Sequence, residues 1–275
     1  NYYIKNILIR FSRLLPSKFR KKLLFLLNQS FRSKAGFVKE YAIFDFNTLD
    51  TLNNNNEYLD IYRKSLSKAG DESTDNIYKL LRHMNLYSYI ENILVNDTQG
   101  DFAECGCWNG TSLFATKYFI DKHKSTKHIH IFDSFEGGLS EFMKEDYIGG
   151  LIKSKNEAQE VREQFSSSYP LLKRKLSKYD QISLNKGWIP EVFKAQEERL
   201  YSFVHIDVDL FEPTFESHKY FFDRLSKGGI IVCDDYGYKQ FPGAAKAVDS
   251  FIEMIPKDSY SHFIKHSFGT SIIIK

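Results

Sequence analysis

No apolar run in this chain comes near the roughly 20 residues that cross a bilayer. The longest near its start is the short stretch from Leu23 to Leu27. No secretory signal pattern is evident around Asn1. Three cysteines in 275 residues are too few for a disulfide framework. Cys105, Cys107 and Cys233 fall in apolar, strand-like stretches; a mutual disulfide of Cys105 and Cys107 is not expected, and no second pair exists for a four-ligand zinc site. The expectation is buried thiols in a reducing cytoplasm. A uniform cationic excess is missing as well. The net charge of +3 conceals ten basic residues against one acid in residues 1–40, and 28 basic against 34 acidic residues elsewhere. A body that is net acidic does not suit a nucleic-acid binder.

What is present is a rich apolar and aromatic content, 42% and 16%, enough for a substantial core. Ile4, Ile7, Leu8, Phe11, Leu14 and Leu15, then Phe19, Leu23, Leu26 and Leu27 beside Arg20, Lys21 and Lys22, predict a basic amphipathic helical pair. Two readings of that pair stand: docking on anionic lipid, or packing against the core or a second subunit of a homo-oligomer. Residues 42–60 are polar and Asn-rich, a loop or cover. Ile77, Leu80, Leu81, Met84 and Leu86 predict a helix leading into the first strand.

From residue 101 the pattern becomes regular. Strands are predicted at 101–105, 128–132, 181–184, 202–206 and 230–233, with helical patterns near 112–122, 157–177, 190–198, 213–226 and 243–254, and an antiparallel hairpin from 261–266 and 271–274. The fold class expected is α/β: a Rossmann-like, doubly wound, seven-stranded and mostly parallel sheet with an antiparallel C-terminal hairpin and an N-terminal helical extension. Residues 1–74 form the extension and cover, and 75–275 the catalytic domain.

Two strands carry the strongest chemical signal. Phe203-Val204-His205-Ile206-Asp207-Val208-Asp209-Leu210 and Gly229-Ile230-Ile231-Val232-Cys233-Asp234-Asp235 each run apolar and end in acids. Buried parallel strands read as continuous apolar runs, and α/β sheets bind ligands beyond their carboxyl ends. Acids converging there repel one another unless a cation lies between them, and oxygen donors favour a hard divalent ion, Mg²⁺ first, with Mn²⁺ or Ca²⁺ open. His205, inside its strand, reads as a packed, hydrogen-bonded residue in preference to a catalytic one.

The first strand runs into a turn, Glu104-Cys105-Gly106-Cys107-Trp108-Asn109-Gly110-Thr111-Ser112. Gly106 and Gly110 admit close backbone approach, and Thr111 or Ser112 can cap the following helix. The spacing is not G-x-G-x-x-G, and Glu104 suits a cofactor with a cationic end better than one with phosphates. Asp133 ends the second strand where a carboxylate can accept from ribose hydroxyls. Ser134, Gly187 and Trp188 are placed to line an adenine slot, with Trp188 equally readable as plain core. Together these point to S-adenosylmethionine. The segment 136–156 reads as a lid over the cofactor, with Glu136, Glu141, Glu145 and Asp146 as its solvated face.

At these residues the chain resembles the macrocin O-methyltransferase (TylF-like) family. The resemblance rests on Asp101-Phe102-Ala103-Glu104-x-Gly106-x-Trp108-x-Gly110, Phe132-Asp133-Ser134-Phe135-Glu136-Gly137, His205-Ile206-Asp207-Val208-Asp209-Leu210-Phe211-Glu212-Pro213-Thr214, Asp234-Asp235-Tyr236-Gly237 and Pro242-Gly243-Ala244, and spans about residues 75–275. It implies a class I, metal-dependent methyltransferase acting on sugar hydroxyls of glycosides. Asp207, Asp234 and Asp235 would hold Mg²⁺ and Asp209 would be the general base. The acceptor would be a sugar on a glycoside, glycolipid or polysaccharide precursor. Alternatives are a nucleotide- or NAD-dependent sugar-modifying enzyme, or a non-catalytic module of the same fold.

Overall fold

The computed structural model describes residues 57–71, 76–266 and 268–275. The basic helical pair expected in residues 1–34 lies outside them. Two helices, α1 (Glu57–Ala69) and α2 (Ile77–Val95), precede a sheet of seven strands: β1 (Asp101–Cys105), β2 (Ile129–Asp133), β3 (Ile182–Lys186), β4 (Tyr201–Ile206), β5 (Leu225–Cys233), β6 (His262–Lys265) and β7 (Ser271–Ile274). Their order is β3-β2-β1-β4-β5-β7-β6, with β1 to β5 parallel and β7 antiparallel to both neighbours. This is the Rossmann-like sheet and closing hairpin that the alternating pattern predicts.

Between the strands lie α3 (Thr111–Lys122), α4 (Lys144–Tyr147), α5 (Lys155–Gln164), α6 (Tyr169–Leu176), α7 (Phe211–Asp223) and α8 (Pro242–Met254). The helical run expected over 157–177 is two helices. Ser168 accepts the Leu171 N–H and Pro170 occupies the first turn, so α6 starts afresh at that point. The helix expected over 190–198 shortens to a 3₁₀ turn, Glu191–Ala195.

The period of two along each strand sorts the core into two layers. Phe102, Ile129, Ile131, Phe203, Ile230 and Val232 face α1, α2 and α3, meeting Tyr62, Tyr87, Ile90 and Phe119. Ala103, Cys105, Phe132, Val204, Ile206 and Ile231 face the other way, toward Phe221, Phe222 and Phe251 of α7 and α8. A fully buried side chain such as Ile90 or Phe119 contributes about 2 kcal/mol. Leu59, Ile61 and Tyr62 belong to the first layer, so α1 packs as part of the sheet's covering. Cys105, Cys107 and Cys233 are buried free thiols. No helix among the described residues is long and apolar enough to cross a membrane.

Candidate active site

The face that packs against α1, α2 and α3 also carries Glu104, His205, Asp207 and Asp234, because each lies an even number of residues from Phe102, Phe203 or Val232. Register places Glu104 opposite His205, and Ile206 opposite Cys233, which brings Asp207 and Asp234 side by side beyond the strand ends. Backbone bonds extend the pairing one residue past the strands: the Asp207 N–H donates to the Cys105 carbonyl at 2.8 Å and the Asp234 N–H to the Ile206 carbonyl at 2.9 Å.

A cavity of about 420 Å³ opens over this edge, within the range of small-molecule sites. One end is the turn after β1. Gly106 has φ 79°, and a Cβ there would stand 1.9 Å from the Asp207 carbonyl oxygen, so only glycine fits. Asp133 braces the same turn. Its Oδ2 accepts the N–H groups of Cys107 (2.7 Å) and Trp108 (3.0 Å), and its Oδ1 accepts that of Phe135 (2.6 Å). These bonds hold Trp108 (φ 44°) and Phe135 (φ 57°) in the left-handed region, which L-residues enter at some energetic penalty. Burial raises the Asp133 pKa against the pull of those three amides. Each carboxylate oxygen accepts about two hydrogen bonds, so Oδ1 keeps one acceptor position open to a ribose hydroxyl. The Cys107 and Trp108 amides, which a pyrophosphate would need at this turn, are already committed.

Gly106, Thr111, Ser112, Asp133, Ser134, Gly187 and Trp188 all line the cavity. Trp188 is 40% exposed and therefore not core. Glu104 and Gly110 are not among the lining residues. Glu104 is buried, accepts a hydrogen bond from the Ser112 hydroxyl and faces His205 Nδ1 at 3.3 Å. Gly110 (φ 89°) precedes α3 and packs toward Leu172. Both glycine positions thus shape the turn, and Gly106 alone of the two borders the open space.

The other end holds the acids. Ligand atoms of His205, Asp207 and Asp234 lie within 4.8 Å of one another. The Nε2 of His205 is buried with no hydrogen-bond partner among the described residues, and its Nδ1 is oriented by a carboxylate, the arrangement seen for histidines that bind metals. Asp235 stands beside this group: its Oδ2 accepts the Asp209 N–H at 3.1 Å. Asp209 occupies a tight turn closed by the Leu210 N–H on the Val208 carbonyl at 2.6 Å, with φ 62°. The donor set of buried and half-buried carboxylate oxygens plus the His205 Nε2 fits a divalent ion. A residue that the sequence pattern did not single out also reaches this cluster. Arg82 of α2 places Nη1 2.6 Å from Asp234 Oδ2 and 3.8 Å from Asp235 Oδ1.

Electrostatics follow the crowding. Burial, then the charge of Asp234, pushes Asp207 up to about 6, and burial with neighbouring acids pushes Asp209 and Asp235 well above the usual carboxylate range. Burial would lower the His205 pKa, but the Glu104 hydrogen bond and the charges of Glu104, Asp207 and Asp234 raise it to about 9. A histidine raised from 6.5 to about 9 contributes stability that is full below pH 6.5 and lost as pH rises through 9. Asp207, raised from 3.8 to about 6, contributes stability lost as pH rises through 6. Both signs agree. The metal-free protein is expected to lose about 3 kcal/mol of stability between pH 6 and 9, read from urea midpoints, with saturating Mg²⁺ flattening the slope. A metal-free midpoint that rises over this interval contradicts the assignment.

The segment 136–156 walls the cavity through Gly138, Leu139 and Ser140. Asp146, read from sequence as part of a solvated face, has no exposure at all. Its Oδ1 accepts the Phe211 N–H that opens α7, and its Oδ2 the Met143 N–H, both at 2.8 Å. Two unsatisfied helix-end amides draw this carboxylate inward.

The family described as Macrocin-O-methyltransferase (TylF) matches residues 46–256. The demethyldecarbamoylnovobiocin O-methyltransferase of Streptomyces niveus is 22% identical over 198 residues, covering 69% of this chain and 73% of that protein. The 8-demethyl-8-(2,3-dimethoxy-alpha-L-rhamnosyl)-tetracenomycin-C 4'-O-methyltransferase of Streptomyces olivaceus is 28% identical over 167 residues, covering 57% of this chain and 60% of its own length. Among solved structures, the O-methyltransferase NovP shares the fold with a TM-score of 0.58 at 22% identity, covering 74% of this chain and 81% of that chain.

Proposed function

The chain belongs to the macrocin-O-methyltransferase (TylF) family and is an O-methyltransferase; from there we propose that it moves the methyl group of S-adenosylmethionine to a sugar hydroxyl with the help of a divalent ion. The observation that carries this reading is one cavity joining a glycine turn braced by Asp133 to a cluster of buried aspartates. Commitment of the turn amides to Asp133 weighs against a pyrophosphate-bearing cofactor such as NAD.

Gly106 lets the donor's amino-acid end approach the backbone, Asp133 has room for a ribose hydroxyl, and Trp188 offers a flat face for adenine. Asp207 and Asp234 would hold the ion, with Asp235 or His205 as a third donor. Carboxylate oxygens favour Mg²⁺, and an imidazole nitrogen would admit Mn²⁺. Such an ion supplies Lewis acidity, lowering the pKa of a hydroxyl that is otherwise a poor nucleophile. Asp209, buried and held by Asp235, takes the hydroxyl proton as the oxygen attacks the methyl carbon.

Asp209→Asn tests that role cleanly. Asparagine tolerates the left-handed backbone that Asp209 adopts, so the turn survives and only the proton acceptor is removed. Methyl transfer to neutral methyl glycosides, followed by S-adenosylhomocysteine release, is expected to fall about 10³-fold while donor affinity stays unchanged. Wild-type turnover in the variant rejects Asp209 as the base. Absence of wild-type turnover on every sugar, with the donor bound, rejects the sugar reading.

A further inference from the structure

α2 contributes Tyr78, Lys79, Arg82 and His83 to the cavity lining. His83 lines the same cavity as the aspartates, and the charge of Asp234 reaches its ring. Its Nδ1 lies 2.9 Å from the Lys79 carbonyl, one helical turn back. A carbonyl only accepts, so Nδ1 carries the proton and Nε2 keeps its lone pair. The ring is fixed edgewise by Tyr62 and Tyr87, with centroids 5.0 Å and 6.1 Å away. No donor to Nε2 is found among the described residues.

We propose that His83 is a positioning residue for the acceptor: its Nε2 accepts a hydrogen bond from a sugar hydroxyl adjacent to the one that is methylated. This rests on the sugar O-methyltransferase reading and adds the residue that orients the ring. The chemistry is selective in two ways. A lone pair accepts from a hydroxyl and offers no proton to a phosphate or carboxylate oxygen. The tether to Lys79 and the two tyrosines give the acceptor atom a fixed place, so one hydroxyl position on the sugar is read. Burial keeps the imidazole neutral, lowering its pKa to about 4 even though Asp234 pulls the other way.

The test uses the full chain labelled with [¹⁵N]histidine, saturated with S-adenosylhomocysteine and Mg²⁺, with methyl α-L-rhamnopyranoside and its monodeoxy analogues as probes. His83 is expected as the Nδ1–H tautomer, its Nε2 resonance moving when the parent sugar is added. In turnover with S-adenosylmethionine, His83→Ala raises KM for the parent sugar about tenfold and leaves kcat within about twofold. His83→Gln, whose amide oxygen can still accept, lies between alanine and wild type. One monodeoxy analogue is as poor for wild type as the parent is for His83→Ala, and the two losses do not add. Donor affinity is equal in all three proteins, which separates a lost contact from a misfolded helix. A protonated Nε2 in the free enzyme, or an unchanged KM in His83→Ala while wild type methylates the sugar, overturns the proposal and leaves the function intact. Failure of wild type to methylate any neutral hexoside or 6-deoxyhexoside removes both.

Discussion

Asp207→Ala and Asp234→Ala are each expected to lower methyl transfer by about 10³-fold or more while S-adenosylhomocysteine still binds within a few-fold of wild type. The two side chains end neighbouring strands whose registry is set by backbone bonds, so either can be truncated without moving the sheet. The variants should part company in stability. Asp207 is a half-buried carboxylate whose pKa is raised by desolvation and then by the charge of Asp234, and its removal in the metal-free protein relieves that repulsion. Asp234 is the close partner of Arg82, and its removal leaves that half-buried guanidinium only Asp235, at 3.8 Å, which destabilises the fold. Thermal unfolding in chelator should therefore rank Asp207→Ala at or above wild type and Asp234→Ala below it. Normal turnover in either variant, or in wild type under excess chelator, rules out the metal-assisted mechanism.

Gly106→Ala is the second large effect. The added methyl would meet the backbone oxygen of Asp207 at 1.9 Å and its carbonyl carbon at 2.8 Å. Backbone cannot step aside as a side-chain tip can, so β1 and β4 must part at their carboxyl ends, where both the donor turn and Asp207 are held. Left-handed backbone adds about 1–2 kcal/mol for any L-residue. Loss of donor binding by at least about 100-fold is expected in calorimetry, together with a lower unfolding midpoint. Gly110→Ala is the internal control. Its φ of 89° carries the same backbone penalty, but the new methyl meets Leu172 Cδ1 at 3.2 Å, a side-chain end that can yield. It should keep the fold and most donor affinity. Equal behaviour of the two variants would mean that the close approach at Gly106 is not what shapes the donor turn.

The contrast between these residues and Arg82 shows how far local pattern carries. Asp207, Asp209, Asp234 and Asp235 are legible because they close two apolar runs as pairs, and a strand's period of two fixes which face its end presents. Asp133 and Gly106 are legible for the same reason. Their partners are not: that Asp133 would spend three of its acceptor positions on backbone amides depends on how two turns meet. Asp146 shows the opposite failure. Two acids before it in the segment, Glu136 and Glu141, are exposed, and the pull of the α7 amide that buries it comes from a residue 65 positions away. The 157–177 pattern hides a helix break because Ser168 and Pro170 act on geometry without interrupting the apolar spacing.

Strand identity, sheet class and the acids at the strand ends were therefore written in the chain's own order of residues, since periodicity and turn chemistry act over a few neighbours. Arg82 and His83 reached the cavity only through packing of α2 across the sheet, with Arg82 and Asp234 separated by 152 positions. The surroundings of His205 likewise follow from the register of β1 against β4, which sets Glu104 on its Nδ1, while Nε2 has no partner among the described residues. Helix placement and strand register sum many weak contacts between distant segments, and no local stretch of sequence records that sum.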